Sequence, residues 1–255
     1  MTTPARRYAV VGSPVAHSLS PIMQQAAFAT LHIEASYEAI DAGKDRAREV
    51  FARLRDEGFA GWNVTTPLKE EGMSFVDRLS PDASKARALN TIRAEPDGSL
   101  SGHNTDGLGF VRALAALWSW RPLHKNILIL GTGPAARAIA IALQENGAAT
   151  LACWSRDAQR AEQLAPPPGA LVDLVVSALP AEAVVPTHIV QASNDDTLIF
   201  DLNYGRERSP VSGMRGGRRS DGLPLLLHQG ALSFEWWTGR PAPLSAMRAA
   251  LTSGR

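Results

Sequence analysis

Short apolar runs alternate along the chain with longer segments in which apolar residues recur at every third or fourth position. The short runs are typical of strands, and the longer segments are typical of amphipathic helices. A regular alternation of the two indicates βα units, in which helices cover a mostly parallel sheet. The pattern predicts strands at residues 8–12, 36–40, 59–64, 89–93, 99–102, 126–130, 150–154, 174–178 and 198–201.

Helices are predicted between most of these strands and at the end of the chain. Ser20 followed by Pro21 suits the N-cap and the first position of the first helix. The turn residues at 95–98 predict a hairpin between two strands. The remaining helices are predicted at 46–57, at 69–75, at 80–85, up to 118 after Asp106, up to 146 after Ala136, at 224–238 and at 243–251.

The composition is that of an ordinary folded protein, with 255 residues of which 45% are hydrophobic and 20% charged. Lys plus Arg number 26 and Asp plus Glu 25, so the net charge of +1 excludes a general attraction to nucleic acid or anionic membranes. We interpret Arg215, Arg218 and Arg219, which lie among glycines, as a solvated surface loop. Cys153 is the single cysteine, which favours a reducing compartment and argues against an internal disulfide or a structural metal.

No apolar run approaches the roughly 18 residues of a membrane-spanning helix. The apolar stretch near the N-terminus is too short for a secretory signal, so we expect a cytoplasmic protein with no membrane partner. Trp236 and Trp237 indicate core or domain packing rather than an interface. The sequence leaves the oligomeric state open, with a homodimer among the alternatives.

The pattern Gly131-x-Gly133-x-x-Ala136 lies between a continuously apolar strand and a helix. In that context it indicates a dinucleotide site, because glycines let the backbone approach a pyrophosphate and the helix N-terminus offers unpaired N–H groups. The alternative is a turn that only connects strand to helix. The candidate cofactor residues in this turn are Gly131, Thr132, Gly133, Pro134 and Ala135.

The end of the next strand distinguishes NAD from NADP. Ser155 and Arg156 follow that strand, and Arg160 lies one helical turn later. Guanidinium groups pair with phosphate, so these arginines favour NADP. Asp157 leaves two alternatives open, because its carboxylate can accept from the ribose of NAD or cap the next helix.

Five motifs in separate parts of the chain together resemble those of the shikimate dehydrogenase family. They occupy residues 12–21, 63–69, 88–91, 104–107 and 221–231, in the order of the family. The resemblance covers nearly the whole chain. It implies an α/β protein of two domains: a mostly parallel substrate domain at 1–104, completed by 223–255, and a Rossmann-like NADP domain at 105–222.

The resemblance also implies roles for individual residues. It places the substrate carboxylate at Ser18 and Ser20, although a serine before proline is equally well a helix cap. A small polyhydroxylated carboxylate requires short polar groups that reject analogues lacking a hydroxyl. The candidate substrate-binding residues are Ser18, Ser20, Thr65, Asn90, Tyr204 and Gln229.

Lys69 and Asp106 are the residues that we expect to transfer a proton. The chain has only four lysines, and a lysine can release its proton where an arginine cannot. Without the motif context, the alternative for this pair is a surface salt bridge. Leu202 and Gly222 are carried over by position as nicotinamide contacts.

The chain departs from the family pattern in the cofactor domain. Residues 166–169 replace a longer excursion, and residues 177–180 replace the usual Asn-Ala-Thr-Ser element. These departures bear on cofactor preference and on the nicotinamide contacts more than on substrate choice.

The resemblance implies the NADP-dependent, reversible reduction of 3-dehydroshikimate to shikimate, a step in chorismate and aromatic amino acid biosynthesis. Two alternatives stay open: a relative that acts on quinate or an aminated analogue with NAD, and a non-catalytic metabolite-binding relative.

Overall fold

The computed structural model describes residues 5–155 and 171–253. The chain divides into two compact units. The first unit combines Met1–Gly109 with Leu226–Arg255, and the second is Phe110–Leu225. Both are layers of helices on a sheet, so the predicted α/β fold class is confirmed.

The first unit is built on a six-stranded sheet with the order β2-β1-β3-β5-β6-β4. Its strands are β1 (Arg6–Gly12), β2 (Ala35–Asp41), β3 (Gly61–Val64), β4 (Arg78–Leu79), β5 (Thr91–Ala94) and β6 (Leu100–His103). Its helices are α1 (Ser20–Thr30), α2 (Ala47–Asp56), α3 (Pro81–Ala86), the start of α4 (Asp106–Trp118), most of α7 (Leu223–Thr238) and α8 (Leu244–Ser253).

Apolar side chains cover both faces of the first sheet. Successive side chains of β1 point to opposite faces and enter two different apolar layers. Ala9 and Val11 join a buried cluster that includes Trp62. On alternate positions, the ring of Tyr8 stacks on Phe28 of α1 with centroids 5.0 Å apart. The core of this unit therefore lies on both sides of β1.

The strand directions gather several connecting segments at one edge of the first sheet. β1, β2 and β3 are parallel, while β5 runs antiparallel to both β3 and β6. The segments that follow β1, β3 and β6, and the residue that precedes β5, consequently meet at the carboxyl edge of β1 to β3. These segments contain most of the polar residues that the sequence analysis singled out.

The second unit is built on a five-stranded parallel sheet with the order β11-β10-β9-β7-β8. Its strands are β7 (Asn126–Leu130), β8 (Thr150–Trp154), β9 (Leu174–Ser177), β10 (Leu198–Asp201) and β11 (Arg218–Ser220). Its helices are the rest of α4, α5 (Pro134–Glu145), α6 (Thr187–Val190) and the start of α7.

The central strand β7 is apolar on both faces, as its continuous apolar sequence predicted. Leu128 and Leu130 enter one buried cluster, while Ile127 and Ile129 enter another. Strand order reverses between β7 and β9, which is the position where open parallel sheets bind their ligands. The glycine turn after β7 lies at this position.

The start of the first helix differs from the prediction. Ser20 is the first helical residue rather than the cap, and the preceding Leu19 gives no side-chain cap bond. The Ser20 side chain is buried, so it is directed into the protein instead of back along the helix end.

The arginine segment is exposed to solvent, as predicted, but it is not a loop throughout. Arg218 and Arg219 belong to β11, which pairs with β10. A Cβ at Gly216 would lie 2.6 Å from Ile199 Cδ1, so the missing side chain lets this edge strand approach. Arg219 is exposed, and its guanidinium also donates to the Val211 carbonyl at 3.0 Å.

One predicted helix has a different form, and one predicted packing residue is buried. The segment predicted as a helix at 69–75 is a 3₁₀ helix at Glu71–Phe75. Trp237 is buried and donates from Nε1 to the Ile92 carbonyl at 2.9 Å, in agreement with a packing role. No helix among the described residues is long and apolar enough to cross a membrane.

Candidate active site

Lys69 and Asp106 meet in the first unit, with Lys69 Nζ 2.6 Å from Asp106 Oδ2. Their side chains are only 13% and 5% exposed. For comparison, the ion pair between Lys125 and Asp173 has side chains that are 40% and 34% exposed, as expected at a protein surface. The pair at Lys69 is therefore not a surface salt bridge, and little bulk water reaches it.

Local structure explains how these two groups come together. Lys69 follows a turn in which the Leu68 N–H donates to the Thr65 carbonyl at 2.8 Å, just beyond β3. Asp106 is the first residue of α4, where the N-terminal helix dipole favours a carboxylate. The Asp106 N–H donates to Asn104 Oδ1 at 3.0 Å, which holds the start of this helix.

Asn90 immediately precedes β5 and connects several candidate residues. Its Nδ2 donates to Asp106 Oδ1 at 2.8 Å and to Gln229 Oε1 at 3.3 Å. Its Oδ1 accepts the backbone N–H of Thr105 at 2.9 Å. Asp106 Oδ1 thus accepts from the Asn90 amide, and Asp106 Oδ2 accepts from the Lys69 ammonium group.

The two predicted carboxylate-binding serines lie close together, Ser18 in the loop after β1 and Ser20 at the start of α1. The Ser20 N–H donates to Ser18 Oγ at 3.2 Å. The loop is held by Asp41 at the end of β2, which accepts from Ser13 Oγ at 3.0 Å and from the Val15 N–H at 3.3 Å. Asp41 was not predicted from the sequence, because nothing local to it indicates that it contacts this loop.

The loops after β1 and β3 are in direct contact. The Ser13 N–H donates to the Thr66 carbonyl at 3.0 Å. A Cβ at Gly12 would lie 2.3 Å from Thr65 Cγ2 and 2.7 Å from the Thr66 carbonyl oxygen. Gly12 is therefore required for this close approach, which brings Thr65 beside the serine loop.

Two buried polar residues behind the site were also missed. Tyr37 donates from its hydroxyl to Asn63 Oδ1 at 2.8 Å. Burial raises the pKa of Tyr37 well above its ordinary value, and a hydrogen bond with the Ser20 side chain partly opposes that shift. An asparagine inside the apolar strand β3 was the one available signal, because a buried amide needs polar partners.

The two glycines of the turn in the second unit differ in whether the backbone conformation requires a glycine. Gly131 has φ +114°, and a Cβ there would lie 3.2 Å from the Ala178 carbonyl oxygen. Gly133 has φ −71°, and a Cβ there would meet nothing within 4 Å. The space at Gly133 fits a ligand that approaches the start of α5.

Other groups near this turn also fit a dinucleotide. Thr132 Oγ1 and Ser155 Oγ are 3.3 Å apart. Arg137, which the sequence analysis missed, donates to the Thr132 carbonyl at 3.3 Å and places a cation at the turn. Ser177 Oγ is buried at the carboxyl end of β9 without a hydrogen-bond partner among the described residues. Pro134 and Ala135 form the first turn of α5.

The remaining candidates lie after β10, after β11 or outside the described residues. A Cβ at Gly222 would lie 2.0 Å from the Leu202 carbonyl oxygen, so these two candidates are adjacent. Tyr204 also follows β10 in the second unit, whereas the other substrate candidates lie in the first. Arg156, Asp157 and Arg160 lie outside the described residues.

No group of three or more His, Cys, Asp or Glu side chains suited to a metal ion occurs within 5–155 and 171–253.

The fold and the site define the class: an α/β protein in which one unit carries a buried lysine–carboxylate pair and the other carries a dinucleotide-type glycine turn.

Comparison with known proteins identifies the family. Residues 10–92 match the shikimate dehydrogenase substrate binding domain, and residues 222–252 match the shikimate 5'-dehydrogenase C-terminal domain. The chain belongs to the shikimate dehydrogenase family.

Individual relatives match over almost the full length. Shikimate dehydrogenase (NADP(+)) of Desulforamulus reducens is 36% identical, covering 93% of this chain and 91% of the relative. The Methanopyrus kandleri protein of the same name is 35% identical, with 95% and 93% covered. The crystal structure of shikimate 5-dehydrogenase from Thermus thermophilus, in complex with NADP(H) and shikimate, has a TM-score of 0.85 and 34% identity, with 98% and 100% covered.

Proposed function

We propose that this protein catalyses the NADP-dependent, reversible reduction of 3-dehydroshikimate to shikimate, a step toward chorismate and the aromatic amino acids. The observation that carries the proposal is the buried contact between Lys69 and Asp106 beside Asn90. Relatives named shikimate dehydrogenase (NADP(+)), and a related structure that holds NADP(H) and shikimate, support it.

Lys69 is assigned the proton transfer. When the ketone is reduced, Lys69 Nζ donates a proton to the developing alkoxide oxygen, and it takes the proton back when shikimate is oxidised. Asp106 Oδ2 orients Lys69 at 2.6 Å, and the carboxylate accepts from a neighbouring substrate hydroxyl. Burial of both side chains keeps water from competing for these contacts.

The substrate is assigned to the carboxyl edge of the first sheet. The hydroxyls of Ser18 and Ser20 hold the substrate carboxylate. Short polar side chains bind its hydroxyls, and this set comprises Thr65, Asn90, Gln229 and Tyr204. A site of this kind discriminates strongly against analogues that lack a hydroxyl, because its buried polar groups would be left unpaired.

NADP is assigned to the second unit. Its reduced form would supply the hydride when the ketone is reduced, and its oxidised form would accept a hydride when shikimate is oxidised. The backbone N–H groups at the start of α5 bind the pyrophosphate, since no side chain caps that helix. The proposed contacts are Gly131, Thr132, Gly133, Pro134, Ala135, Ser155, Arg156, Arg160, Leu202 and Gly222. The two arginines supply the preference for a 2′-phosphate.

The test is steady-state turnover of the purified protein, followed by nicotinamide absorbance, with shikimate or quinate and NADP or NAD. We expect shikimate with NADP to have the highest kcat/KM by at least about tenfold, equivalent to about 1.4 kcal/mol of transition-state binding. A maximum with quinate and NAD would instead identify the paralogous activity. Absence of turnover with all four combinations would contradict the proposed activity and favour a non-catalytic metabolite-binding protein.

Location and assembly are part of the same proposal. We expect the protein in the cytoplasm, on the composition argument, and cell fractionation tests this. Sedimentation of the purified chain distinguishes a monomer from a homodimer.

A further inference from the structure

A set of buried side chains lies directly behind the candidate active site without entering it. Asn63 of β3, Thr91 of β5 and Ser233 of α7 form this set, which we call the hydroxyl relay. The three residues are 6%, 0% and 0% exposed. Because water does not reach these groups, their hydrogen bonds must be satisfied within the protein.

We infer that Thr91 and Ser233 are positioning residues for the proposed reaction, because the hydroxyl relay fixes the Asn90 amide that holds Asp106 against Lys69. The inference rests on the proposed roles of Lys69 and Asp106 in proton transfer.

The direction of the hydrogen bonds follows from counting donors. Asn63 Oδ1 accepts from the Tyr37 hydroxyl at 2.8 Å, so its Nδ2 faces the other way. That Nδ2 lies 3.1 Å from Thr91 Oγ1 and 3.0 Å from Ser233 Oγ. The Asn90 carbonyl lies 3.0 Å from the same nitrogen, so the two hydrogens of Nδ2 are shared among three acceptors. On this side Asn63 can only donate, and it accepts from neither hydroxyl.

Thr91 has one hydrogen to donate and two neighbours that could accept it. Asn90 Oδ1, at 3.0 Å, can only accept, whereas Ser233 Oγ, at 2.7 Å, can donate or accept. If Thr91 donated to Ser233, two acceptor oxygens would face each other at Asn90. Ser233 Oγ also lies 3.1 Å from the Gln229 carbonyl, but that oxygen already accepts the Ser233 N–H as the i−4 acceptor within α7. The arrangement that satisfies both Thr91 and Asn90 is Ser233 donating to Thr91, and Thr91 donating to Asn90.

The consequence reaches Lys69 in two steps. Oδ1 of Asn90 is held by Thr91 and by the Thr105 N–H, so Nδ2 must point toward Asp106 Oδ1 at 2.8 Å. With that oxygen held, Asp106 Oδ2 is directed at Lys69 Nζ. Hydrogen bonds aligned in one direction also polarise one another and strengthen the chain.

The first test is Thr91→Val, which keeps the side-chain shape and removes the hydroxyl. We expect kcat to fall about tenfold, as slight misplacement of a catalytic group does, while KM for shikimate stays within about threefold. Thr91→Ser restores the hydroxyl and should return kcat to within about threefold of the wild type. Unchanged kcat in Thr91→Val, or no rescue by serine, overturns the inference.

The matched control is Thr197→Val. Thr197 is equally buried, and its Oγ1 donates to the Val172 carbonyl at 2.8 Å, at the start of β10. Thr197→Val should lower the melting temperature as Thr91→Val does and leave kcat unchanged. Equal losses of kcat in the two variants would show a general effect of buried hydroxyls and would overturn the positioning role.

A double-mutant cycle tests whether the two hydroxyls act through one path. Ser233→Ala should lower kcat about threefold, and in the Thr91→Val background it should have no further effect. Independent roles would instead multiply, giving a loss of about thirtyfold and overturning the relay. If Thr91→Val does not fold, Thr91→Ala paired with Ser233→Ala gives the same cycle.

Crystal structures of the Thr91→Val and Ser233→Ala proteins provide a readout that does not require activity. We expect the Asn90 amide in Thr91→Val to turn away from Asp106, with loss of the 2.8 Å contact. An unmoved amide overturns the inference even when the wild type turns over. A wild type without turnover contradicts the proposed function alone, since the amide position is still decided by the crystals.

Discussion

The carboxyl edges of the two sheets are completed in opposite ways. In the first unit, the side chains of Lys69, Asn90 and Asp106 are held to one another by hydrogen bonds. In the second unit, the corresponding edge is a glycine turn, and α5 begins at Pro134 after Gly133, which provides no side-chain cap. One edge is a set of partnered side chains, and the other is backbone left open.

The difference agrees with the role proposed for each edge. Proton transfer requires a charged group in one fixed position, so its neighbours must be satisfied before substrate arrives. A pyrophosphate is bound by N–H groups that the protein leaves unpaired, so side chains there would obstruct it. Loss of a side chain should therefore impair the first edge, and gain of one should impair the second.

The largest expected effect is at the first edge. Lys69→Ala removes the proposed proton donor and should lower kcat by about 10²–10⁴, with KM for shikimate within a few-fold, as loss of a general acid does. Steady-state kinetics with NADP measures both constants.

Lys125→Ala is the control, because Lys125 also pairs with a carboxylate but lies before β7, at the opposite end of that strand from the glycine turn. Its kcat should stay within about twofold, as expected for an exposed ion pair. A Lys69→Ala enzyme with wild-type kcat would remove Lys69 from the reaction and with it one side of the comparison.

An intermediate effect is expected at the second edge, where the two glycines should respond differently. Gly133→Ala adds a methyl group to open space, so the free energy of unfolding should change by no more than about 0.5 kcal/mol. The same methyl group obstructs the proposed pyrophosphate, and KM for NADP should rise about tenfold, or about 1.4 kcal/mol.

Gly131→Ala should show the reverse balance. At φ +114° an added side chain is strained, which should cost about 1–2 kcal/mol of unfolding free energy. Denaturant titration and NADP kinetics of both variants measure the two quantities. Equal behaviour of the two alanine variants would show that Gly133 is not open for a ligand.

The smallest expected effect concerns His103, at the end of β6 in the first unit. Burial lowers the pKa of His103 below its ordinary value, with Arg93 acting in the same direction and Asp82 against it. The unfolded chain consequently binds a proton at a higher pH than the folded chain. The free energy of unfolding should fall as pH drops below about 6.5, by at most about 1.4 kcal/mol per pH unit.

His103→Gln removes this contribution, so its stability should depend less on pH. Denaturant titrations between pH 5 and 8 give the slope of unfolding free energy against pH for each protein. Loss of the ring contact with Trp236 shifts the stability equally at every pH, so it does not change that slope. Identical slopes would mean that burial does not hold His103 neutral.

Most helices and strands could be predicted from the sequence, because their signals are local. The apolar run at β7 and the glycines after it predicted a central strand and a turn, and both are present. The strand β11 was missed, since it is short and its arginines are polar. Pairing with β10, which the local sequence does not encode, makes it a strand.

The site could be predicted only in part. Motifs indicated Lys69, Asn90 and Asp106, but the sequence pattern could not distinguish a buried pair from a surface salt bridge. The residues behind them were missed, because contacts such as Asn63 with Ser233 join positions 170 apart in the chain. Such contacts depend on sheet order and register.

The sequence by itself determined the α/β class, the glycine turn and the family, since each is written in periodicity or in short motifs. Only the tertiary structure decided that Lys69 and Asp106 touch out of reach of bulk water and that Asn90 joins them. The physical reason is that burial and hydrogen-bond geometry arise where distant strands and helices converge on one sheet edge.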